Sequence, residues 1–314
     1  MTVHRSTALR SFFAVLAVLS AAVFWGFNGI ASKLLYRDAG FDAFGLIAAR
    51  GTWSFPIFAA MALAAWPERL PGAADLRRFA AVGFCYGPIA CGFLALGAQY
   101  TSGAHLSLLF SLTPPLTAVV GGVLLRERVD RLRLISLGLG LAGAALLAST
   151  RSATGSSLGG DVLCMVQLVG IAFAVVITRS LALRYNALFL TGTFGALGMA
   201  GIATIGIAAG GAHAIVQTWR DPETAGWFFG EIVLGLSIYA QFAQSYALRV
   251  LPAGTTALLS SYGSLIVGLA GAIVFLHERL TPAGIVAALL IAFSLALAIS
   301  SGGSRRSGRS ARPA

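Results

Sequence analysis

Gly103–Arg128 reads GAHLSLLFSLTPPLTAVVGGVLLRER, and Gly254–Arg279 reads GTTALLSSYGSLIVGLAGAIVFLHER. Each is an apolar run that ends in a Glu-Arg pair and leads straight into another apolar run. The offset between them is 151 residues without a gap, which sets Gly103 on Gly254, Leu108 on Leu259 and Glu127-Arg128 on Glu278-Arg279. A membrane helix needs roughly 20 mainly apolar residues, and both runs reach that length. Neither alternates apolar with polar residues, as the strands of a membrane barrel would. Both therefore read as membrane helices, and as copies of one another.

Outward from these two, ten segments qualify as spans: 12–34, 43–65, 79–99, 103–125, 132–149, 161–183, 187–209, 227–248, 254–276 and 282–300. The loops between them are too short to hold a soluble domain. The composition agrees, with 57% of the 314 residues hydrophobic and 11% charged. Soluble domains carry roughly 25% charged residues, so an ordinary globule and a disordered chain are both excluded. The uncharged stretch Ser11–Ser32 exceeds the usual signal-peptide core of roughly 7–15 residues, and reads as the first span. Glycines recur at helix-packing spacings, among them Gly83 and Gly87, Gly192, Gly195 and Gly198, and Gly206 and Gly210. Cys85, Cys91 and Cys164 lie inside apolar runs, with no disulfide framework and no zinc spacing.

The expected fold is an all-α membrane protein of ten transmembrane helices, arranged as two inverted five-helix repeats. An odd number of spans per half makes the second copy enter the bilayer from the opposite side, which is a transporter design. Residues 1–10 form an N-terminal tail, 11–150 the first repeat, 161–300 the second, and 301–314 a disordered basic tail. Sixteen of the 22 Lys and Arg residues fall on the side that holds both termini. By the positive-inside rule both termini are cytoplasmic. The net charge of +11 is thus an orientation signal, with some attraction for anionic lipid, and no nucleic-acid footprint.

Further motifs stand in order along the chain. They are Phe24-Trp25-Gly26-Phe27-Asn28 with Lys33, then Arg50 within the second span, and Ala98-Gln99-Tyr100-Thr101-Ser102-Gly103. Leu112-Thr113-Pro114 and Glu127-Arg128 follow, and Tyr246-Ala247-Leu248-Arg249, Pro252-Ala253-Gly254 and Glu278-Arg279 echo them in the second half. In order and spacing the set resembles the ten-helix EamA-type members of the drug/metabolite transporter superfamily, over the whole chain apart from the tails. The resemblance implies a metabolite exporter or facilitator of the bacterial inner membrane, with amino acids among the substrates. One departure is Leu265, which stands where the family commonly keeps a second-half counterpart of Pro114.

A charge inside a span costs roughly 2.5–3.5 kcal/mol at the centre, so Arg50 needs a reason. Its planar guanidinium suits a substrate carboxylate or phosphate; the alternative is a structural pair, with Glu231 the candidate partner. Pro114 removes backbone hydrogen bonds near mid-membrane, and shares a helix face with Gly103, Ser107 and Ser111. Trp25, Asn28, Tyr100, Gln244 and Tyr262 supply aromatic and amide groups suited to a small amphipathic solute. With Arg50, Ser111 and Pro114 they make the expected substrate-binding set. His105 is the candidate for proton coupling. Glu127, Glu278, Gly103 and Gly254 read as structural motif positions; the two glutamates cap helix turns or pair with Arg128 and Arg279, with a gating role as the alternative. Glu231 and Asp161 fall near span ends in this reading, so a buried carboxylate is not expected to carry protons.

The competing classes are a polytopic membrane enzyme and a passive channel. Clustered histidines for a metal hydrolase and a phosphate-binding Gly-x-x-x-x-Gly-Lys-Ser/Thr loop are missing from the sequence. No cofactor or metal is expected. The expected partners are a small-molecule substrate and the lipid bilayer, with a homodimer left open by the sequence. The reading is therefore a multi-pass inner-membrane transporter working by alternating access in the direction of efflux.

Overall fold

The computed structural model describes residues 2–67, 70–124, 131–149, 156–251, 253–279 and 281–307, and among these every regular element is helical. The long helices are α1 (Thr2–Asp38), α2 (Ala43–Ala64), α3 (Ala73–Tyr100), α4 (Gly103–Leu124) and α5 (Arg131–Ala148). They continue as α6 (Leu158–Ala182), α7 (Ala187–Ala208), α8 (Pro222–Val250), α9 (Ala253–Phe275) and α10 (Pro282–Ser307). Among the described residues, seven helices, α1–α4 and α6–α8, are long and apolar enough to cross a membrane. The apolar stretches of α5, α9 and α10 are shorter: Leu134–Leu146, Leu259–Phe275 and Pro282–Ser294. Length and composition thus support seven crossings where the sequence was divided into ten. Helix α10 continues through Ser307, into the stretch expected to be a disordered tail. Glu127 lies outside the described residues.

Local sequence sets where the helices begin. Asp42 accepts from the Gly45 amide, Ser102 from His105, Ser157 from Gly160, Asn186 from Phe189, Asp221 from Thr224 and Thr281 from Gly284. Each satisfies an amide that a helix start leaves without a partner. Interruptions also follow the sequence. Helix α4 breaks at Ser111 and Leu112 into Gly103–Phe110 and Thr113–Leu124, because Pro114 and Pro115 cannot donate into the first piece. Helix α9, with Leu265 in the corresponding place, runs unbroken. Helices α3 and α8 each contain a π-helical stretch, Cys85–Gly92 and Gly226–Ala240.

The helices associate through small residues, as they must where lipid gives no hydrophobic drive between them. Helix α2 lies along α7, where a Cβ on Gly51 would come within 2.5 Å of the Ala203 amide and one on Gly192 within 2.4 Å of the Ala62 amide. Helix α5 pairs with α10, joined by the Ser294 hydroxyl donating to the Ser136 carbonyl at 2.6 Å. Helix α1 packs on α8 and α9, and α6 packs on α3 and α4. Gly210 plays no such part: it has φ +92° and open space around it, and turns the chain after α7.

Candidate functional site

Eight helices converge on a central cavity of about 90 Å³, and α5 and α10 pack outside it. Trp25 and Asn28 come from α1, Arg50 from α2, Tyr86 and Cys91 from α3, and Phe110 and Thr113 from α4. The second half contributes Gln167 and Thr178 from α6, Phe194 from α7, Gln241, Gln244 and Ser245 from α8, and Ser260 and Ser261 from α9. Arg50 is the one charged residue among the lining residues, and only 5% of it is exposed. Its Nε donates to Ser237 Oγ at 2.9 Å, and that hydroxyl donates to the Ile232 carbonyl at 2.7 Å. The Ser237 bond crosses from α2 to the π-helical part of α8. A π stretch frees carbonyls from their usual partners and often marks a functional site, and here one accepts from the hydroxyl that holds Arg50. Tyr86 stands beside Arg50 and Ser237, and Asn28 Oδ1 is buried with no hydrogen-bond partner among the described residues.

Four of the expected binding residues therefore meet in one place: Trp25, Asn28, Arg50 and Gln244. Ser111 and Pro114 are buried instead in helix packing, with the Ser111 hydroxyl donating back to the Leu108 carbonyl. Phe110 and Thr113 are the α4 residues that face the cavity. Tyr262 is partly exposed and outside the lining, while its neighbours Ser260 and Ser261 belong to it. Tyr100, 54% exposed, lines a second and wider pocket of about 510 Å³ with Lys33, Tyr36, Arg37, Gln99 and Glu278. Gln167, Thr178 and Ser237 escaped the sequence reading. Gln167 had the same signal as Asn28, an amide within an apolar run, whereas Ser237 resembles any serine bonded to its own helix.

The two ends of the bundle are tied differently. At one end Glu278 accepts from the Gly103 and Ala104 amides, at 2.8 and 2.9 Å, so its carboxylate caps α4 from the α9–α10 turn. His277 has φ +54°, which ends α9 and directs Glu278 back toward α4. Beside it His105 Nδ1 lies 3.3 Å from Asp161 Oδ1, and Thr101 donates to the same carboxylate. The Ser157 amide donates to the Tyr100 carbonyl at 2.7 Å, joining α6 to the end of α3. At the other end Asp75 accepts from Arg78, Arg184 and Tyr185 at 3.0–3.2 Å. The cavity leans toward this second end. Thr178 and Leu248 lie four and two residues from the ends of their helices, Ala182 and Val250, whereas Asn28 is ten residues from Asp38.

With this geometry in view, the likeness to known proteins can be placed. Residues 12–149 match the model of the EamA-like transporter family. A relative from Bacillus subtilis (strain 168), described as the uncharacterized transporter YetK, is 30% identical over 102 residues. That alignment covers 31% of this chain and spans about a third, 31%, of the relative. A crystal structure of another protein superposes with a TM-score of 0.54 at 19% identity, covering 91% of this chain and 97% of the other. That likeness is one of fold. Its many apolar helices, together with the family match, make the chain a multi-pass membrane protein that resembles the EamA-like transporter family over residues 12–149.

Proposed function

We propose that the protein moves a small amphipathic metabolite bearing a carboxylate or another anionic group, amino acids included, out of the cell by alternating access. The observation that carries this reading is the central cavity whose one charged lining residue is Arg50, fixed by Ser237 and surrounded by Asn28, Gln167, Gln241 and Gln244. A buried guanidinium offers paired donors to an anion, the amides serve its polar groups, and Trp25, Phe110 and Phe194 its apolar part.

Ten crossings as two inverted repeats, α1–α5 and α6–α10, are supported by the packing. Exchanging α1 with α6, α3 with α8 and α4 with α9 converts the contacts of α1 on α8 and α9 into those of α6 on α3 and α4. The same exchange leaves the α2–α7 and α5–α10 pairs in place. It also brings the π-helical stretch of α3 onto that of α8. Charge bias supports a cytoplasmic location for both termini, and the resemblance to bacterial metabolite exporters supports the inner membrane. On that topology the Glu278 end faces outward and is closed, and the Asp75 end, toward which the cavity leans, faces the cytoplasm.

The test is an untargeted comparison of metabolites inside and outside cells that carry the wild type, Arg50→Gln or no protein. Accumulation of an anionic or zwitterionic compound outside, lost in Arg50→Gln at equal protein level, is the expected result. A chemically altered product would overturn transport in favour of catalysis. Export that survives Arg50→Gln would remove Arg50 from the site.

A further inference from the structure

Helix α8 carries an ionisable group that the reading above leaves unused. Glu231 lies nine residues past Pro222 in the π-helical stretch, deeper than a span starting at 227 implied. Its Oε1 is buried and, among the described residues, has neither a hydrogen-bond partner nor an ion pair. Glu231 as a residue is partly exposed, but a carboxylate oxygen shut off from water without a partner disfavours the ionised form.

Charges on the surrounding helices narrow what can offset it. From α2, which packs against this part of α8, comes Arg50. From α1 come Lys33 and Tyr36, but Lys33 shares the outer pocket with Glu278, and the Tyr36 hydroxyl donates to the Ala95 carbonyl at 2.9 Å. Arg37 is paired with Asp38 at the end of α1. On α8 itself Glu223 sits at the helix start, Tyr239 bonds Ser20 at 2.6 Å, and Tyr246 and Arg249 lie toward the far end. Arg50 is tied through Ser237 to the carbonyl of Ile232, the residue after Glu231. One guanidinium therefore serves both the cavity and the turn that carries the buried carboxylate.

We propose that Glu231 is a proton site coupled to anion binding at Arg50. A bound anion and an ionised Glu231 compete for the same positive charge, and two anions beside one cation disfavour each other. Binding of the anion draws one proton from solution onto a Glu231 carboxylate oxygen, forming an O–H bond. The added charges of −1 and +1 cancel, so anion and proton cross in the same direction without net charge. The proposal rests on the reading of Arg50 as the anion-binding group.

The test uses the purified full-length protein, with inorganic phosphate and methanesulfonate as probes because neither carries a carboxyl signal, and sodium chloride as the ionic-strength control. Infrared difference spectra across a pH titration should show a protonated carboxyl band that Glu231→Gln abolishes and Glu231→Asp shifts. At a pH where the unloaded protein has lost the band, either probe should restore it, with uptake of about one proton per bound methanesulfonate, the anion that does not itself titrate there. Binding is read separately as thermal stabilisation, which Glu231→Gln keeps without proton uptake and Arg50→Gln loses. A missing Glu231 band at every pH overturns the proton site. Equal proton uptake in Glu231→Gln, or binding with no uptake, overturns the coupling. A titrating band with no stabilisation by either anion is a different failure: the Arg50 reading falls, and the coupling with it.

Discussion

Arg50 is held by one bond that a lysine cannot reproduce. Its Nε is committed to Ser237, so its terminal nitrogens are the part left to approach a solute in the cavity. Lysine keeps the charge but has no Nε branch and no planar fork. Arg50→Lys should weaken uptake or binding of an anionic substrate by roughly 10–100-fold, the equivalent of one charge-assisted hydrogen bond at about 1.5–3 kcal/mol. Ser237→Ala frees the guanidinium from α8 without removing it, and should cost less, with the loss in apparent affinity rather than in maximal rate. Concentration-dependent transport in proteoliposomes separates the two; equal affinity in Arg50→Lys and wild type would show that the fork is not used. Arg50 was readable from the sequence because a charge among apolar residues is expensive, and Asn28 and Gln244 stood out for the milder form of the same reason. Tyr262 was unreadable for the opposite reason. A tyrosine suits an interface as well as a cavity, and only the rotation of α9, which turns Ser260 and Ser261 inward, separates the two.

Helices α4 and α9 show how far a repeat in sequence carries into structure. Their alignment sets Leu265 where α4 has Pro114, and α9 runs through that position without a break. The interruption of α4 is readable from its prolines, but which of its residues line the cavity is not. Two prolines remove two amides at one turn, and Phe110 and Thr113, on either side of that interruption, line the cavity where Ser111 and Pro114 do not. Nor could spacing show that Glu278 would cap α4, because that contact joins residues 175 positions apart in sequence and depends on the left-handed turn at His277. The carboxylate satisfies two helix-start amides and complements the positive end of α4. Such a cap contributes about 1 kcal/mol, which corresponds to a fivefold change in a two-state population. Glu278→Ala should therefore raise labelling of the native Cys164, 1% exposed behind this end, by a membrane-impermeant maleimide several-fold. Melting of the protein in detergent should fall by only a few degrees, about what the loss of one cap implies. Unchanged labelling would leave Glu278 as a helix cap with no part in closure.

For the molecule as a whole, the exchange of helix pairs makes a statement about movement. If the two halves are related by an in-plane axis, the contacts that close one end have counterparts at the other, and a transport cycle trades one set for the other. Closure at the Glu278 end includes the approach of α6 to α3, where a Cβ on Gly97 would lie 2.6 Å from Cys164 Sγ. That is close enough for a cysteine at position 97 to bond the native Cys164 after a small rotation of either side chain. Gly97→Cys under oxidising conditions should consequently hold this end shut and stop transport, and a reductant should restore it. The same substitution combined with Cys164→Ser removes the bond but keeps the added bulk, and should be indifferent to oxidation. A rocking motion needs α3 and α6 to part at this end once in every cycle, whereas a passive pore passing between other helices does not. Full transport through the cross-linked protein would therefore exclude opening between α3 and α6, and with it alternation between two repeats arranged in this way.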